Sequence, residues 1–140
     1  MTARVFVYGT LKAGFPNFHV NRGVQLPGDF VTVERFPLYV IGDIHVPWLV
    51  NRPGEGQPVC GQVFEVDADT LAGMDVLEQI DEPGWYTRAE IAVRPHADPS
   101  TTALRVYVYF GDAERLARET VHLGPLAEYT LAQAQTYRSG

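Results

Sequence analysis

The stretch RVFVYGTLKAGFPNFH, residues 4–19, changes character halfway along and organises the predicted fold around itself. Its first part, Arg4–Tyr8, ends in a run of β-branched and aromatic residues and predicts a buried strand. The run stops at Gly9 and Thr10, where small residues favour a turn. A turn that follows a strand this directly can present backbone N–H groups to an anion. We therefore expect a core strand followed by a binding turn.

Further short runs of β-favouring residues, separated by glycine and proline, continue along the chain. They predict strands at Asp29–Arg35, Leu38–Ile41, Trp48–Val50, Val59–Val66, Tyr86–Val93 and Leu104–Phe110. Two other segments predict helices, one capped by Asp67 or Asp69 and ending at Pro83, and one capped by Asp112. The predicted class is α+β: a small mixed β-barrel, closed or nearly closed, with a few flanking helices.

The length of the chain fits one domain. Its 140 residues, of which 46% are hydrophobic, suffice for a single core. We predict a single domain over residues 1–140, in which residues 111–140 form a divergent C-terminal helix and tail. The tail sequence LAEYTLAQAQTYRSG, residues 126–140, fits either a short frayed helix or disorder.

Composition excludes several classes of partner. The net charge of −6 and the lack of a lysine or arginine run argue against nucleic acid. No apolar run approaches the roughly 20 residues that span a bilayer, and no export signal is expected at the N-terminus. A single cysteine, Cys60, suits a reducing compartment. We expect a cytoplasmic protein without nucleic-acid or membrane partners, with monomer and dimer both open. Because the histidines lack metal-ligand spacing, we expect no metal site.

One carboxylate falls on the apolar side of the first predicted helix. At about 100° per residue, Glu78 lies between Met74 and Leu71, and Asp75 lies at the edge of the same face. An unpaired buried carboxylate is costly, so this position indicates either a structural pair or a general base or acid beside a cavity. The alternative is escape to solvent where the helix bends or ends.

Several segments resemble one enzyme family, the γ-glutamylamine cyclotransferases of the γ-glutamylcyclotransferase-like (AIG2-like) superfamily. They are VFVYGTLKAGFPN (5–17), FPLYVIGDIHVPWLV (36–50), GQVFEVDADTLAGMDVLEQID (61–81), GWYTRAEIAV (84–93) and VYVYF (106–110). The Tyr-Gly-Thr-Leu-Lys motif and VPWL are the segments that resemble the amine-type branch most specifically. The resemblance implies the barrel fold stated above.

The resemblance also implies which residues act. It implies that Tyr8, Gly9, Thr10 and Leu11 bind the substrate through backbone groups, and that Glu78 is the catalytic residue. The implied reaction is an intramolecular aminolysis of a γ-glutamyl amide, which gives 5-oxoproline and a free amine without a cofactor. Glu78 would be its general acid and base, and the enzyme would class as a carbon–nitrogen lyase or acyltransferase.

Other assignments stay open. Trp48 and Tyr109 either line the pocket around the leaving group or belong to the core. The substrate is alternatively a γ-glutamyl amino acid, glutathione or a γ-glutamyl-protected biosynthetic intermediate. An alternative function of a different class is a non-catalytic module that binds a small ligand on the same barrel.

Overall fold

The computed structural model describes residues 2–98 and 100–138. Nine strands, three short α-helices and a 3-10 turn at Phe18–Val20 make up this part of the chain. The strands are β1 (Thr2–Val7), β2 (Val24–Gln25), β3 (Phe30–Phe36), β4 (Leu38–Ile41), β5 (Val46–Leu49), β6 (Gln57–Asp67), β7 (Tyr86–Pro95), β8 (Leu104–Gly111) and β9 (Val121–Leu123). The helices are α1 (Ala68–Leu77), α2 (Ala113–Arg118) and α3 (Leu131–Ala134).

Six strands form the larger sheet, in the order β1-β8-β7-β3-β6-β2, and β1 also pairs with β6. The sheet therefore curls until β1, β8, β7, β3 and β6 form a ring of pairings. All of these pairings are antiparallel except β1–β8, which is parallel and has a single register pair, Val5 opposite Tyr107. The α+β prediction is confirmed, and the curled sheet approximates the predicted barrel.

A second sheet of three strands, in the order β5-β4-β9, contains the VPWL segment. In it Trp48 of β5 lies opposite Tyr39 of β4, and Leu123 of β9 lies opposite Val40. Strands β2 and β9 were not predicted, because runs of two and three residues are too short to show a period of two.

The strand that opens the chain supplies both halves of the core. Successive side chains of this strand point to opposite faces. Phe6 therefore packs with one buried cluster, and Val5 and Val7 pack with the other. Helix α1 joins the second cluster through Met74, which is fully buried. Asp67, one of the two predicted caps, begins this helix by accepting a hydrogen bond from the Thr70 N–H at 2.8 Å.

The tail packs against the body of the protein. Tyr129 is fully buried, its ring lies against that of Phe15, and its carbonyl accepts a hydrogen bond from the Lys12 ammonium group. Thr130 then begins α3 with a reciprocal capping box to Gln133. Within the described part of the tail, the helical alternative therefore matches residues 131–134 only, and residues 139–140 lie outside the described residues. In the described part of the chain, no helix combines the length and apolar character needed to cross a membrane.

We expect Gly111→Ala to lower the free energy of unfolding by about 1–3 kcal/mol. A Cβ atom at Gly111 would overlap the ring of Trp48, which is fully buried. That ring cannot withdraw freely, because it packs 4.5 Å from the Tyr86 ring and its Nε1–H donates to the Asp112 carbonyl at 2.9 Å.

The matched control is Gly73→Ala. Gly73 is exposed within α1, and a Cβ atom there would meet nothing within 4 Å. This change is expected to stabilise the protein by about 0.5–1 kcal/mol, because alanine is the better helix former. Urea unfolding of both variants tests the pair, and equal effects at the two glycines would contradict the overlap with Trp48.

Candidate active site

A pocket of about 230 Å³ lies beside the end of β1. Its walls come from the turn after β1, the β4–β5 connection, the end of α1, strands β7 and β8, and the tail. The predicted turn residues Tyr8, Gly9, Thr10 and Leu11 line this pocket together with Glu78. Residues that are distant in sequence thus share one cavity.

The turn after β1 leaves backbone donors available. The Lys12 N–H closes the turn by donating to the Gly9 carbonyl at 3.2 Å, and the Asn17 N–H donates to the Thr10 carbonyl at 2.9 Å. Within residues 2–98 and 100–138, the backbone N–H groups of Gly9, Thr10 and Leu11 donate to no protein acceptor. Buried N–H groups normally find a partner. An oxygen-bearing ligand in the pocket would satisfy them.

Glu78 reaches the pocket because α1 ends at that residue. The Gln79 N–H donates to the Val76 carbonyl at 3.1 Å and the Ile80 N–H to the Asp75 carbonyl at 3.3 Å, the pattern of a Schellman motif. Gln79 takes the positive φ of 53° that this motif requires. The predicted stop at Pro83 was therefore too late, and the helix ends at Leu77.

Glu78 as a residue is half-buried, and it is one of the residues that line the cavity. Among the described residues, no hydrogen bond or ion pair reaches its carboxylate. Burial raises the pKa of Glu78 to about 8, because the charged form loses hydration. A carboxyl group with this pKa can both accept and return a proton near neutral pH.

Asp75, one turn earlier on α1, is engaged with protein groups. It accepts a hydrogen bond from the Tyr109 hydroxyl at 2.6 Å and forms an ion pair with Arg88. The two carboxylates of this helix therefore differ in kind. Asp75 is paired with protein groups, whereas the Glu78 carboxylate has no such partner among the described residues.

Tyrosines form much of the pocket wall. The Tyr8 hydroxyl donates to the Tyr109 carbonyl at 2.5 Å, and the Tyr86 hydroxyl donates to the Pro47 carbonyl at 2.6 Å. Burial raises the pKa of both Tyr8 and Tyr86, and the nearby charge of Glu78 acts in the same direction. These hydroxyls therefore stay protonated and keep the wall fixed.

Tyr109 and Trp48, each of which was left open between the pocket and the core, lie in different places. Tyr109 lines the pocket. Trp48 does not line it, and of the two alternatives the structure matches the core: the ring of Trp48 is enclosed by Tyr86, Gly111 and the Asp112 carbonyl. On strand β5 the pocket wall is formed by Val46 and Pro47 instead.

Asn17, Trp85, Tyr86 and Tyr137 also line the pocket and were not predicted. Asn17 is buried, and its Nδ2 donates to the Thr10 hydroxyl at 2.8 Å and to the Tyr137 hydroxyl at 3.1 Å. A signal for Asn17 was present, since it belongs to the Pro-Asn pair in the first resembling segment. Tyr137 had none, because it lies 120 positions away from Asn17.

The charge of the pocket is one-sided. In the part of the chain that the structure describes, Glu78 lines it but no lysine, arginine or histidine does. The described residues contain no cluster of three or more histidine, cysteine or acidic groups placed to hold a metal ion. Burial also raises the pKa of the Cys60 thiol to about 11, so a thiolate is disfavoured. The arrangement defines a small-ligand pocket with one acid–base group and neutral hydrogen-bond donors.

The comparisons with known proteins agree with this class of site. The family model described as gamma-glutamyl cyclotransferase, AIG2-like, matches residues 5–130. The chain is 41% identical over 97 residues to the gamma-glutamylaminecyclotransferase of Rattus norvegicus. The matched region covers 66% of this chain and 64% of that protein. The chain is 38% identical over 120 residues to the gamma-glutamylaminecyclotransferase of Homo sapiens, covering 76% of this chain and 77% of that protein. The chain belongs to the AIG2-like gamma-glutamyl cyclotransferase family.

A solved structure extends the match. The crystal structure of an AIG2-like protein from Mus musculus has a TM-score of 0.75 and 33% identity, covering 92% of this chain and 88% of that chain. The first curated relatives are matched over less than two-thirds of their length, 59% of one and 64% of two others. The family match ends at residue 130.

Proposed function

We propose that this protein is a γ-glutamylamine cyclotransferase, which converts the glutamyl group of a γ-glutamyl amide into 5-oxoproline and releases an amine. The observation that carries the proposal is the shared pocket: the unpaired carboxylate of Glu78 and the free N–H groups of Gly9, Thr10 and Leu11 border the same cavity. The names of the rat and human relatives support the amine branch.

The proposed reaction starts with the substrate's α-ammonium group beside Glu78. The carboxylate takes a proton, and the freed amine attacks the γ-carbonyl carbon of the same molecule. A new C–N bond closes the five-membered ring, and the old amide C–N bond breaks. Over the whole reaction the α-nitrogen loses two protons, and the departing nitrogen gains two and leaves as an ammonium ion. Glu78 carries protons between the two nitrogens.

The turn has the second role in this proposal. Because nucleophile and electrophile are tethered, the main task of the site is orientation, which contributes up to about 7–11 kcal/mol in favourable cases. Neutral donors at Gly9, Thr10 and Leu11 would hold the α-carboxylate or the developing oxyanion. Backbone donors in a tight turn have little conformational entropy to lose when they bind.

The chemical class of the enzyme follows from this reaction. It breaks a C–N bond without water, which corresponds to a lyase or acyltransferase that acts on a small molecule. We also propose that the protein is cytoplasmic, which suits a chain whose single cysteine, Cys60, cannot form an internal disulfide.

The experiment that tests the proposal is 5-oxoproline release from ε-(γ-glutamyl)lysine, γ-glutamylalanine and glutathione. The highest kcat/KM is expected for ε-(γ-glutamyl)lysine. A preference for γ-glutamylalanine or glutathione would replace the amine branch by the amino-acid or glutathione branch. Binding of these compounds without any release would identify a non-catalytic module.

A further inference from the structure

The tail brings one side chain, Tyr137, into the pocket wall and holds it there. On one side of it, the Arg138 N–H donates to the carbonyl of Ile44, another pocket residue, at 2.9 Å. On the other side, the Tyr137 N–H donates to the Ala134 carbonyl at 3.1 Å. Further back, Tyr129 anchors the tail in the core. Tyr137 is therefore a built part of the site.

The hydroxyl of Tyr137 differs from those of the other pocket tyrosines. It accepts a hydrogen bond from Asn17 Nδ2, whereas the hydroxyls of Tyr8, Tyr86 and Tyr109 all donate to protein acceptors. A hydroxyl that accepts from an amide keeps its own hydrogen for another partner. In the described part of the chain, the Tyr137 hydroxyl donates to no protein group. It is thus left as a donor at the edge of the cavity.

The same Asn17 amide group gives its second hydrogen to the Thr10 hydroxyl. Thr10 belongs to the turn whose backbone N–H groups are free. Asn17 therefore links the turn to the tail and orients the hydroxyls of both. The hydroxyls and the free N–H groups together form a set of neutral donors in one pocket.

The charges of a γ-glutamyl substrate decide which of its groups this set receives. The ammonium group is attracted to Glu78, and the α-carboxylate is repelled by it. A carboxylate has about four lone-pair positions to satisfy. Since no cationic side chain lines the described pocket, the side chains and backbone groups there that can donate to a carboxylate are neutral.

We propose that Tyr137 is a substrate-binding residue, whose hydroxyl, oriented by Asn17, donates to the α-carboxylate of the γ-glutamyl group. This inference rests on the proposed function. It assigns a role in substrate recognition to a tail residue far in sequence from the turn and from Glu78. The ring of Tyr137 forms the wall, and its hydroxyl supplies the recognition.

The test is Tyr137→Phe, which removes the hydroxyl and keeps the ring. Calorimetric titration compares 5-oxoproline, which carries the carboxylate, with 2-pyrrolidinone, which lacks it. The variant is expected to lose about tenfold or more of its affinity for 5-oxoproline and none for 2-pyrrolidinone, as suits the loss of a hydrogen bond to a charged group. For the γ-glutamyl amide, KM should rise while kcat stays close to that of wild type.

The control is Tyr39→Phe. Tyr39 is half-buried on β4 and does not line the pocket, so its loss of a hydroxyl is expected to change neither affinity. Unchanged 5-oxoproline binding in Tyr137→Phe would overturn the inference and leave the proposed function standing. An equal loss for both ligands would also overturn it, since only the shape of the wall would then matter. A wild-type protein that neither releases nor binds 5-oxoproline would overturn the proposed function itself.

Discussion

Replacing Glu78 with glutamine is expected to lower kcat by about 10³-fold while leaving the affinity for 5-oxoproline close to that of wild type. Glutamine nearly matches glutamate in shape, so the pocket keeps its volume. It cannot accept the ammonium proton or return one to the leaving nitrogen. Release of 5-oxoproline from the preferred substrate measures the first effect, and calorimetric titration measures the second.

The pH dependence of the wild-type protein is part of the same prediction. Glu78 acts as a base only when ionised, and its pKa is raised to about 8. We therefore expect kcat/KM to rise with pH up to about 8 and to fall roughly tenfold per unit well below it. The residual activity of Glu78→Gln should lack this acid limb. A wild-type profile with a limb near the ordinary carboxyl range, about 4 to 5, would contradict the role of a buried base.

Stability should change in the opposite direction to activity. The pKa of Glu78 is higher in the folded than in the unfolded chain, so the folded protein binds this proton more tightly. The resulting contribution to stability is fully present below about pH 4.5 and is lost as the pH rises through about 8. Glutamine carries no charge at any of these values. Glu78→Gln is therefore expected to be more stable than wild type at pH 9, by on the order of 1–3 kcal/mol, and no more stable at pH 4.

The matched control for these measurements is Glu90→Gln. Glu90 is exposed on β7, where it forms a surface ion pair with Arg105 at 3.6 Å. Its replacement is expected to leave activity unchanged and to shift the free energy of unfolding by less than about 1 kcal/mol. Urea unfolding at pH 4 and pH 9 compares the two variants. Full activity in Glu78→Gln would mean that another group is the base.

The features that sequence predicted well depend on short-range periodicity. Four consecutive β-favouring residues predicted β1. The helical periodicity of about 100° per residue placed Glu78 beside Met74 on the apolar face of α1. That placement survived an error in the helix end, because a Schellman motif keeps its cap residue in helical conformation. Glu78 has φ −81° and ψ −2°, so its side chain still projects as a helical residue would.

The features that sequence did not predict depend on contacts between distant segments. Whether Trp48 faces a cavity or the core is decided by Gly111, whose lack of a side chain makes room for the indole ring. The place of Tyr137 is decided by Asn17 and Ile44, which no local pattern in the tail indicates. Lys12 shows the same dependence, since its ammonium group lies buried under Tyr129 and not on the surface.

Gly9→Ala is expected to lower kcat/KM by about 100-fold, because it displaces the turn that carries the free N–H donors. A close approach requires glycine here: a Cβ atom at Gly9 would lie 2.7 Å from Cγ and 3.3 Å from Cβ of Pro47. The proline cannot yield easily, since its ring is rigid, its carbonyl accepts the Tyr86 hydroxyl, and β5 is paired with β4 at Val40. The turn must therefore move.

Gly73→Ala is the matched control, since it adds the same methyl group where nothing lies within 4 Å, and it should keep full activity. Steady-state kinetics on the preferred γ-glutamyl amide compares the two variants, and circular dichroism checks that each is folded. A folded Gly9→Ala protein with wild-type kcat/KM would mean that the N–H groups of the turn do not hold a reacting or anchoring group. The predicted loss of kcat/KM would show what the VPWL segment does: its Pro47 fixes the position of the turn against which the substrate is held.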